Sequence, residues 1–385
     1  MHNDMSKETK EQVLARLRRR YVTAGLEHKS KLLDQAVELL GYHRKAAIRA
    51  LGPQEEQRPA PGVLGRPRSY HPESMLPILK PIWFAAFQPC GSRLHALLPE
   101  WLPAYEGDHR RLDGDLRRSL LAASPRTLDR LIAPLRVSLQ RRSATRPGGM
   151  LRQSIPIRGL WTEEGPGWLE MDTVALCGGR LDDLHLWMLN GVDIRTDWIE
   201  LRALENRGQH CTVTQITDLE ESLPFPLLGL DSDNGGEFIN HHLVAYLGQR
   251  PKPVLFTRSR AYHKNDNARV EQRNWTHVRQ HFGYERYDNP AVTPLINQLC
   301  KGALGQMHNH FLPTHQLKEK RRKGNRLIRV YGPATTAYAR VLQASAVTQE
   351  NKARLSTLHS QLNPFDLARQ IERQAKAIAT RRLAA

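Results

Sequence analysis

Apolar residues recur at helical spacing through the first third of the chain. Glu8 to Tyr21 is rich in strong helix formers and puts Val13, Leu14 and Leu17 on one side; Lys29 to Leu40 repeats Leu32, Leu33, Ala36 and Leu39. Gly41 breaks the pattern. A short segment, YHRKAAIRAL, follows, with Ala46, Ala47, Ile48 and Leu51 as its apolar side and Arg44, Lys45 and Arg49 as its polar one. Gly52 to Ser69 reads as a loop, with four prolines and the basic stretch GRPRSY. A second helical unit begins after it. Ser74 is the expected N-cap of a helix over Met75 to Phe87, although Pro77 and Pro81 predict that it is irregular or late to start. Ser92 to Leu102 predicts another helix. In SPRTLDRLIAPL, Ser124 suits the N-cap, Pro125 the first helical position, and Leu128, Leu131 and Ile132 give a buried face that leaves Arg126, Thr127 and Arg130 outside. Residues 141–158 have no periodicity, carry five arginines, and read as a linker.

From Trp168 the period changes. GWLEMDTVAL, HLWMLNGVDI and DWIELRAL are apolar or alternating runs separated by turn-like stretches, which predicts a three-stranded antiparallel meander. A helix over Thr212 to Leu223, a buried strand PLLGLDSD, a helix over Asn240 to Leu247 and a strand PVLFTRS follow, and then a helix carrying an acid. That order is the order of a ribonuclease H-like α/β domain, a mixed five-stranded sheet with flanking helices. A helix through Leu295 to Phe311, the basic run KEKRRKGNR and a helical tail from Asn351 to Arg382 complete the chain. The expected divisions are 1–60, 61–140, the linker 141–158, the α/β core 159–315, and a basic connector with helical tail over 316–385.

Length and composition narrow the function. At 385 residues the chain has room for two or three domains. Hydrophobic residues at 40% and charged residues at 25% are those of a globular protein, and no apolar run approaches the ~18 residues that span a bilayer. The start, MHNDMSKETKEQ, has no apolar stretch suited to a signal peptide, so a cytoplasmic, nucleoid-associated location is expected. Cys90, Cys177, Cys211 and Cys300 are too scattered for a zinc finger or redox pair and read as reduced, small buried thiols. The net charge of +18 is unevenly spread: +13 over residues 1–158, −7 over 159–300 and +12 over 301–385. Basic flanks neutralise phosphates, and an acidic middle concentrates carboxylates. In that light helix, glycine turn and short basic helix form the outline of a helix-turn-helix, with Arg44, Lys45 and Arg49 as DNA contacts. Arg126, Thr127 and Arg130 play the same part in the second unit. Ordinary helical bundles with solvated arginines are the alternative.

Three acids stand out by their surroundings. Asp172 lies in the apolar strand WLEMDTV, sharing a face with Glu170 and Val174. Asp233 lies where the strand of LLGLDSDNGGEFIN runs into Asn234 and Gly235, and Glu271 lies on the helix of HKNDNARVEQRNWTHVRQHF. Lys264 and Asn267 precede Glu271 on its face, and Asn274 and Trp275 continue it. Attack on a phosphodiester uses two divalent cations about 3.5 to 4 Å apart, and oxygen ligands suit Mg²⁺ or Mn²⁺. Without such ions three converging carboxylates repel one another.

WLEMDTV, DSDNGGEF and KNDNARVEQRNW resemble the three acidic motifs of the catalytic core shared by retroviral integrases and bacterial insertion-sequence transposases. The separations of 61 and 38 positions are similar to that family's. The resemblance covers roughly residues 155–315, and the N-terminal helical units look like those of the insertion-sequence branch. It implies that Asp172, Asp233 and Glu271 are catalytic and bind two Mg²⁺ or Mn²⁺ ions. It implies too that Asn234 and Gly235 shape the turn, and that Arg258, Lys264 and Asn267 touch DNA. Asp231 also sits at the strand end, but the Asp-Asn-Gly pattern selects Asp233; Glu170 and Asp266 read as supporting or surface acids. Arg321, Arg322 and Lys323 resemble the basic connector after such cores and are expected to meet phosphates. The implied activity is transposition: binding of terminal inverted repeats in double-stranded DNA, cleavage of each end, and transfer of the 3′ hydroxyl into target DNA by a dimer or higher oligomer. A nuclease that cuts without joining, and an inactive DNA-binding repressor of transposition, are the alternatives.

Overall fold

Ser6 caps the first helix, α1 (Lys7–Thr23), by accepting from Thr9 N at 3.2 Å. The computed structural model describes residues 5–52, 70–136, 165–232, 237–238, 241–258, 273–324 and 326–383. The chain divides into two units, Met1–Ser69 and Tyr70–Ala385. In the first, α1 is followed by α2 (Leu26–Leu40) and α3 (Arg44–Leu51). Gly41 ends α2 at φ 68°, and its amide bonds Val37 O at 3.1 Å; this left-handed position suits glycine and turns the chain within three residues. Leu17, Leu32, Leu33, Ala36, Leu40, Ala47 and Leu51 form the core of the unit. Ile48, expected on the apolar side of α3, is instead 45% exposed. In so short a helix the i, i+4 pair Ala47 and Leu51 faces the core, which turns Ile48 out beside Arg44, Lys45 and Arg49.

In the second unit α4 (Pro72–Ala85) starts earlier than Ser74, with Pro72 in its first turn, and continues through Pro77 and Pro81. Burial of Met75, Ile78, Leu79, Ile82 and Trp83 along one side outweighs the two lost backbone bonds. It is followed by α5 (Gly91–Asp108), α6 (Gly114–Ala122) and α7 (Pro125–Ile132). In α7 Ser124 accepts from Thr127 N, and Leu128, Leu131 and Ile132 are buried as their spacing predicts.

The sheet contains β1 (Trp168–Ala175), β2 (Trp187–Asp193), β3 (Ile199–Leu204), β4 (Gly229–Ser232) and β5 (Leu255–Arg258), in the order β3-β2-β1-β4-β5. The meander is antiparallel, while β1–β4 and β4–β5 are parallel. The crossovers are α8 (Gln209–Glu221) and α9 (His241–Gly248). After the sheet come α10 (273–282), α11 (293–311), which bends at Gly302, and a hairpin of β6 (Leu317–Lys323) and β7 (Arg326–Tyr331). The chain continues through α12 (Ala337–Gln343), α13 (Gln349–Gln361) and α14 (Pro364–Leu383). Within the segment KEKRRKGNR, read above as a connector, residues 318–323 lie on β6 and Arg326 begins β7, so the run belongs to a β-hairpin, with Gly324 at φ 59° after β6.

Both faces of the sheet are covered. Val174, Met188, Val192, Ile199 and Leu201 join α4, α5, α7, α10, α11 and α14 in one core, while Leu169, Met171, Leu189 and Leu204 pack with α8 and α9 on the other side. β2 and β3 are accordingly buried along their whole length, including Arg202, whose guanidinium meets Glu200 at 3.0 Å and Asp218 at 2.6 Å. All four cysteines are free thiols. Cys177 and Cys300 are buried, and burial pushes the Cys300 thiol up to about 12; Cys90, expected buried, is exposed as the N-cap of α5. Among the described residues no helix is long and apolar enough to cross a membrane.

Candidate active site

Asp172 lies on the central strand, with β2 on one side and β4 on the other, and pairs in register with Asn190. Its Oδ1 accepts from Thr173 N at 2.8 Å and its Oδ2 from Asn274 Nδ2 at 2.6 Å. Asn274 Oδ1 in turn accepts from Asn190 Nδ2 at 2.8 Å, and Asn190 Oδ1 lies 3.3 Å from His277 Nδ1. An amide oxygen only accepts, so His277 carries its proton on Nδ1. Burial first, and then the Arg273 charge, holds His277 well below the usual histidine range, which keeps it neutral. The result is a four-membered relay from His277 through Asn190 and Asn274, each donor directed toward the Asp172 carboxylate.

The chain approaches Asp172 from two further directions. Ser232, the last residue of β4, pairs with Met171, and Arg258, the last of β5, pairs with Ser232. Glu237, buried, accepts from Thr173 Oγ1 at 2.6 Å and meets Arg207 at 3.2 Å, whose guanidinium lies 3.9 Å over the Trp187 ring. Residues on either side of the segment 233–236 therefore dock on the two chain neighbours of Asp172. Asp233, Asn234, Gly235, Lys264, Asp266, Asn267 and Glu271 themselves lie outside the described residues. Among the described residues no group of three His, Cys, Asp or Glu side chains is arranged to hold a metal ion. Asp231 is buried, accepts from Thr257 Oγ1 at 2.5 Å and pairs with Glu170, which is 2% exposed and so no surface acid.

The basic residues are dispersed. On α3, Lys45 and Arg49 are exposed, and the Arg44 guanidinium meets Asp34 and Ser30. On α7, Arg126 and Arg130 are exposed, while the Thr127 amide and hydroxyl are engaged by Ser124. Arg258 is half-buried at the end of β5. On β6, Arg321 and Arg322 are exposed, Arg321 pairing with Glu319 at 2.7 Å, and Lys323 ends the strand. Sequence reading missed Asn190 and His277, which join the relay to Asp172 through the register of β2 and the docking of α10, and Glu237, which comes to the neighbouring Thr173 from the segment after β4.

No family model matches the chain. The uncharacterized protein y4rM of Sinorhizobium fredii is 35% identical over 347 residues, a span of 88% of this chain and 97% of that protein. The chain belongs to the y4rM family.

In this member of the y4rM family the relay ends in a buried histidine cluster. His281 Nε2 lies 2.9 Å from His308 Nε2, and the His277 and His308 rings are 5.2 Å apart. Burial lowers His281 to about 4 and holds His308 well below its ordinary value. The unfolded chain takes up a histidine proton near pH 6.5, whereas folded His281 does so only near pH 4 and folded His308 well below 6.5, so the unfolded state binds more protons between pH 6.5 and 4. Stability present above pH 6.5 is expected to fall as pH drops toward 4, His281 alone accounting for on the order of 3 kcal/mol. Urea unfolding across that range tests this; a His281→Gln protein with the same pH slope would count against the cluster as its source.

Proposed function

We propose that the protein is a DNA transposase of the retroviral-integrase type, with Asp172, Asp233 and Glu271 as its catalytic carboxylates. The observation that carries this reading is the gathering of described chain ends round Asp172. Ser232 and Glu237 flank the segment of Asp233, and Arg258 and Asn274 flank the segment of Glu271; Ser232, Glu237 and Asn274 meet Met171, Thr173 and Asp172, and Arg258 joins them by pairing with Ser232. Asn274 lies one turn beyond Glu271 on the face the sequence predicts. Three antiparallel strands followed by two parallel ones with helical crossovers support a ribonuclease H-like core. Two helices joined through a left-handed glycine, the second presenting Arg44, Lys45 and Arg49 outward, support a helix-turn-helix.

The donor set suits a hard cation. The groups bonded to Asp172 are amides, a hydroxyl and a carboxylate meet at the adjoining Thr173, and the His277 imidazole is held three hydrogen bonds away. Asp172, Asp233 and Glu271 would hold Mg²⁺ or Mn²⁺, which when bound supplies activation of the attacking hydroxyl and neutralisation of the leaving oxygen. Asn274 fixes the Asp172 carboxylate, Arg258 holds a phosphate at the same sheet edge, and the basic helices bind the terminal repeats. Two ends held together require a dimer or higher oligomer.

The test is cleavage and joining of a labelled duplex carrying the ends of the DNA segment that encodes the protein, with Mg²⁺ or Mn²⁺. Asp172→Asn, Asp233→Asn and Glu271→Gln are each expected to abolish both reactions and retain binding. Cutting without joining would point to a nuclease, and binding without cutting to a repressor. Asn274→Ala is expected to raise the half-saturating Mn²⁺ concentration about 10- to 100-fold, since it frees the carboxylate it orients. An unchanged Mn²⁺ profile would remove Asn274 from this positioning role.

A further inference from the structure

Beside the relay, on the same face of the sheet, lies a cavity of about 250 Å³ lined by Arg93 of α5, Asp197 of the β2–β3 turn, Arg273, Thr276 and His277 of α10, and Thr314 among others. Its charges do not balance. The buried Asp197 carboxylate is shared by two guanidiniums: Oδ1 meets Arg273 at 2.8 Å, and Oδ2 meets Arg340 at 2.8 Å and accepts from Thr314 Oγ1 at 2.8 Å. Arg93 is a third guanidinium with no carboxylate among the described residues; its one hydrogen bond to them runs from Nε to Pro313 O at 2.6 Å. His315, whose Nδ1 donates to Gly332 O and whose Nε2 shares a hydrogen bond with Ser92 Oγ, brings no negative charge to offset the excess.

Neighbouring groups register the surplus. Burial and then Arg273 hold the Arg93 guanidinium below its ordinary value, and both arginines add to burial in keeping His277 and His308 neutral. A half-buried guanidinium whose two Nη atoms have no hydrogen-bond partner among the described residues, beside a second guanidinium and the Thr276 hydroxyl, matches a planar-fork donor set for an oxyanion.

We propose that this cavity is a phosphate-binding site, with Arg93 and Arg273 holding the oxyanion and Thr276 and Thr314 at its edge. The chemistry is that of a phosphate, from the backbone of a nucleic acid or from free inorganic phosphate. It stands independently of the metal-site reading, because none of the three proposed catalytic acids takes part.

Thermal melting of the full chain in inorganic phosphate, against chloride at matched ionic strength, is expected to show a phosphate-specific rise in Tm that Arg93→Gln abolishes and Arg93→Lys keeps in part. Duplex binding distinguishes the sources. For a backbone phosphate, phosphate competes with duplex, and Arg93→Gln weakens binding and reduces the slope of log affinity on log salt by about 0.9. For free phosphate, Arg93→Gln leaves duplex binding and its slope unchanged while the Tm rise is lost. The phosphate rise and the competition are read on the wild type, so an unfolded Arg93→Gln protein does not disable the test. No phosphate-specific rise together with no competition, or an equal rise in folded Arg93→Gln, overturns the proposal.

Discussion

Asp172→Asn is expected to lower metal-dependent DNA cleavage by at least about a thousandfold, with thermal stability and duplex affinity close to wild type. The substitution keeps the shape of the side chain and one oxygen that still accepts from Asn274 Nδ2, so the relay to Asn190 and His277 persists while the bond from Thr173 N is given up. What it removes is the negative charge. Cation-assisted phosphoryl transfer draws several kcal/mol from charge stabilisation, and each ~1.4 kcal/mol is a factor of ten in rate. Single-turnover cleavage with Mn²⁺, with circular dichroism as the check on folding, measures it. A folded Asp172→Asn protein that cuts within tenfold of wild type would overturn the transposase reading, since that reading makes the charged Asp172 carboxylate a metal ligand.

The largest effect on stability is expected from Trp101→Ala, a loss of about 3 to 5 kcal/mol. Trp101 is fully buried on α5, donates from Nε1 to Phe311 O at 3.2 Å, and its ring meets Phe365 edge-on at 5.4 Å. It thus ties α5 to the end of α11 and to α14, within the core that also covers one sheet face. Alanine there leaves a cavity and an unpartnered buried carbonyl, two costs that point the same way. Urea unfolding should show a lower midpoint with an unchanged slope. A loss below about 1.5 kcal/mol would mean that α5 is not seated against Phe311 in solution.

The parts of the fold readable from sequence are those where a local pattern and a buried face agree. Ser124 and Pro125 announce α7, Gly41 announces the turn before α3, and an acid within WLEMDTV marks the central strand. Where two principles compete, reading fails. Pro77 and Pro81 argue against a helix that five buried side chains enforce. The basic residues of β6 hide its alternation, because a two-stranded ribbon with exposed side chains has no apolar face to reveal. Ile48 is apolar by type and outward by geometry. Asp172 is legible, and Asn274 is too as part of the Glu271 face, but their meeting is not: Asn274 reaches Asp172 through helix docking and Asn190 through strand register, both long-range events that no local spacing encodes.

The position of α14 has a consequence for the order in which the chain folds. Phe365, Leu367, Ile371 and Ile378 fill the same core as Met75, Leu79 and Leu98, near the beginning of the second unit. A growing chain emerging from the ribosome therefore carries α4 and α5 with their apolar sides open while the whole sheet is still being synthesised. The loop between first and last partners is long, so this closure is slow and late. The unit is most exposed to chaperones and to association with other copies of itself just before its final helix docks.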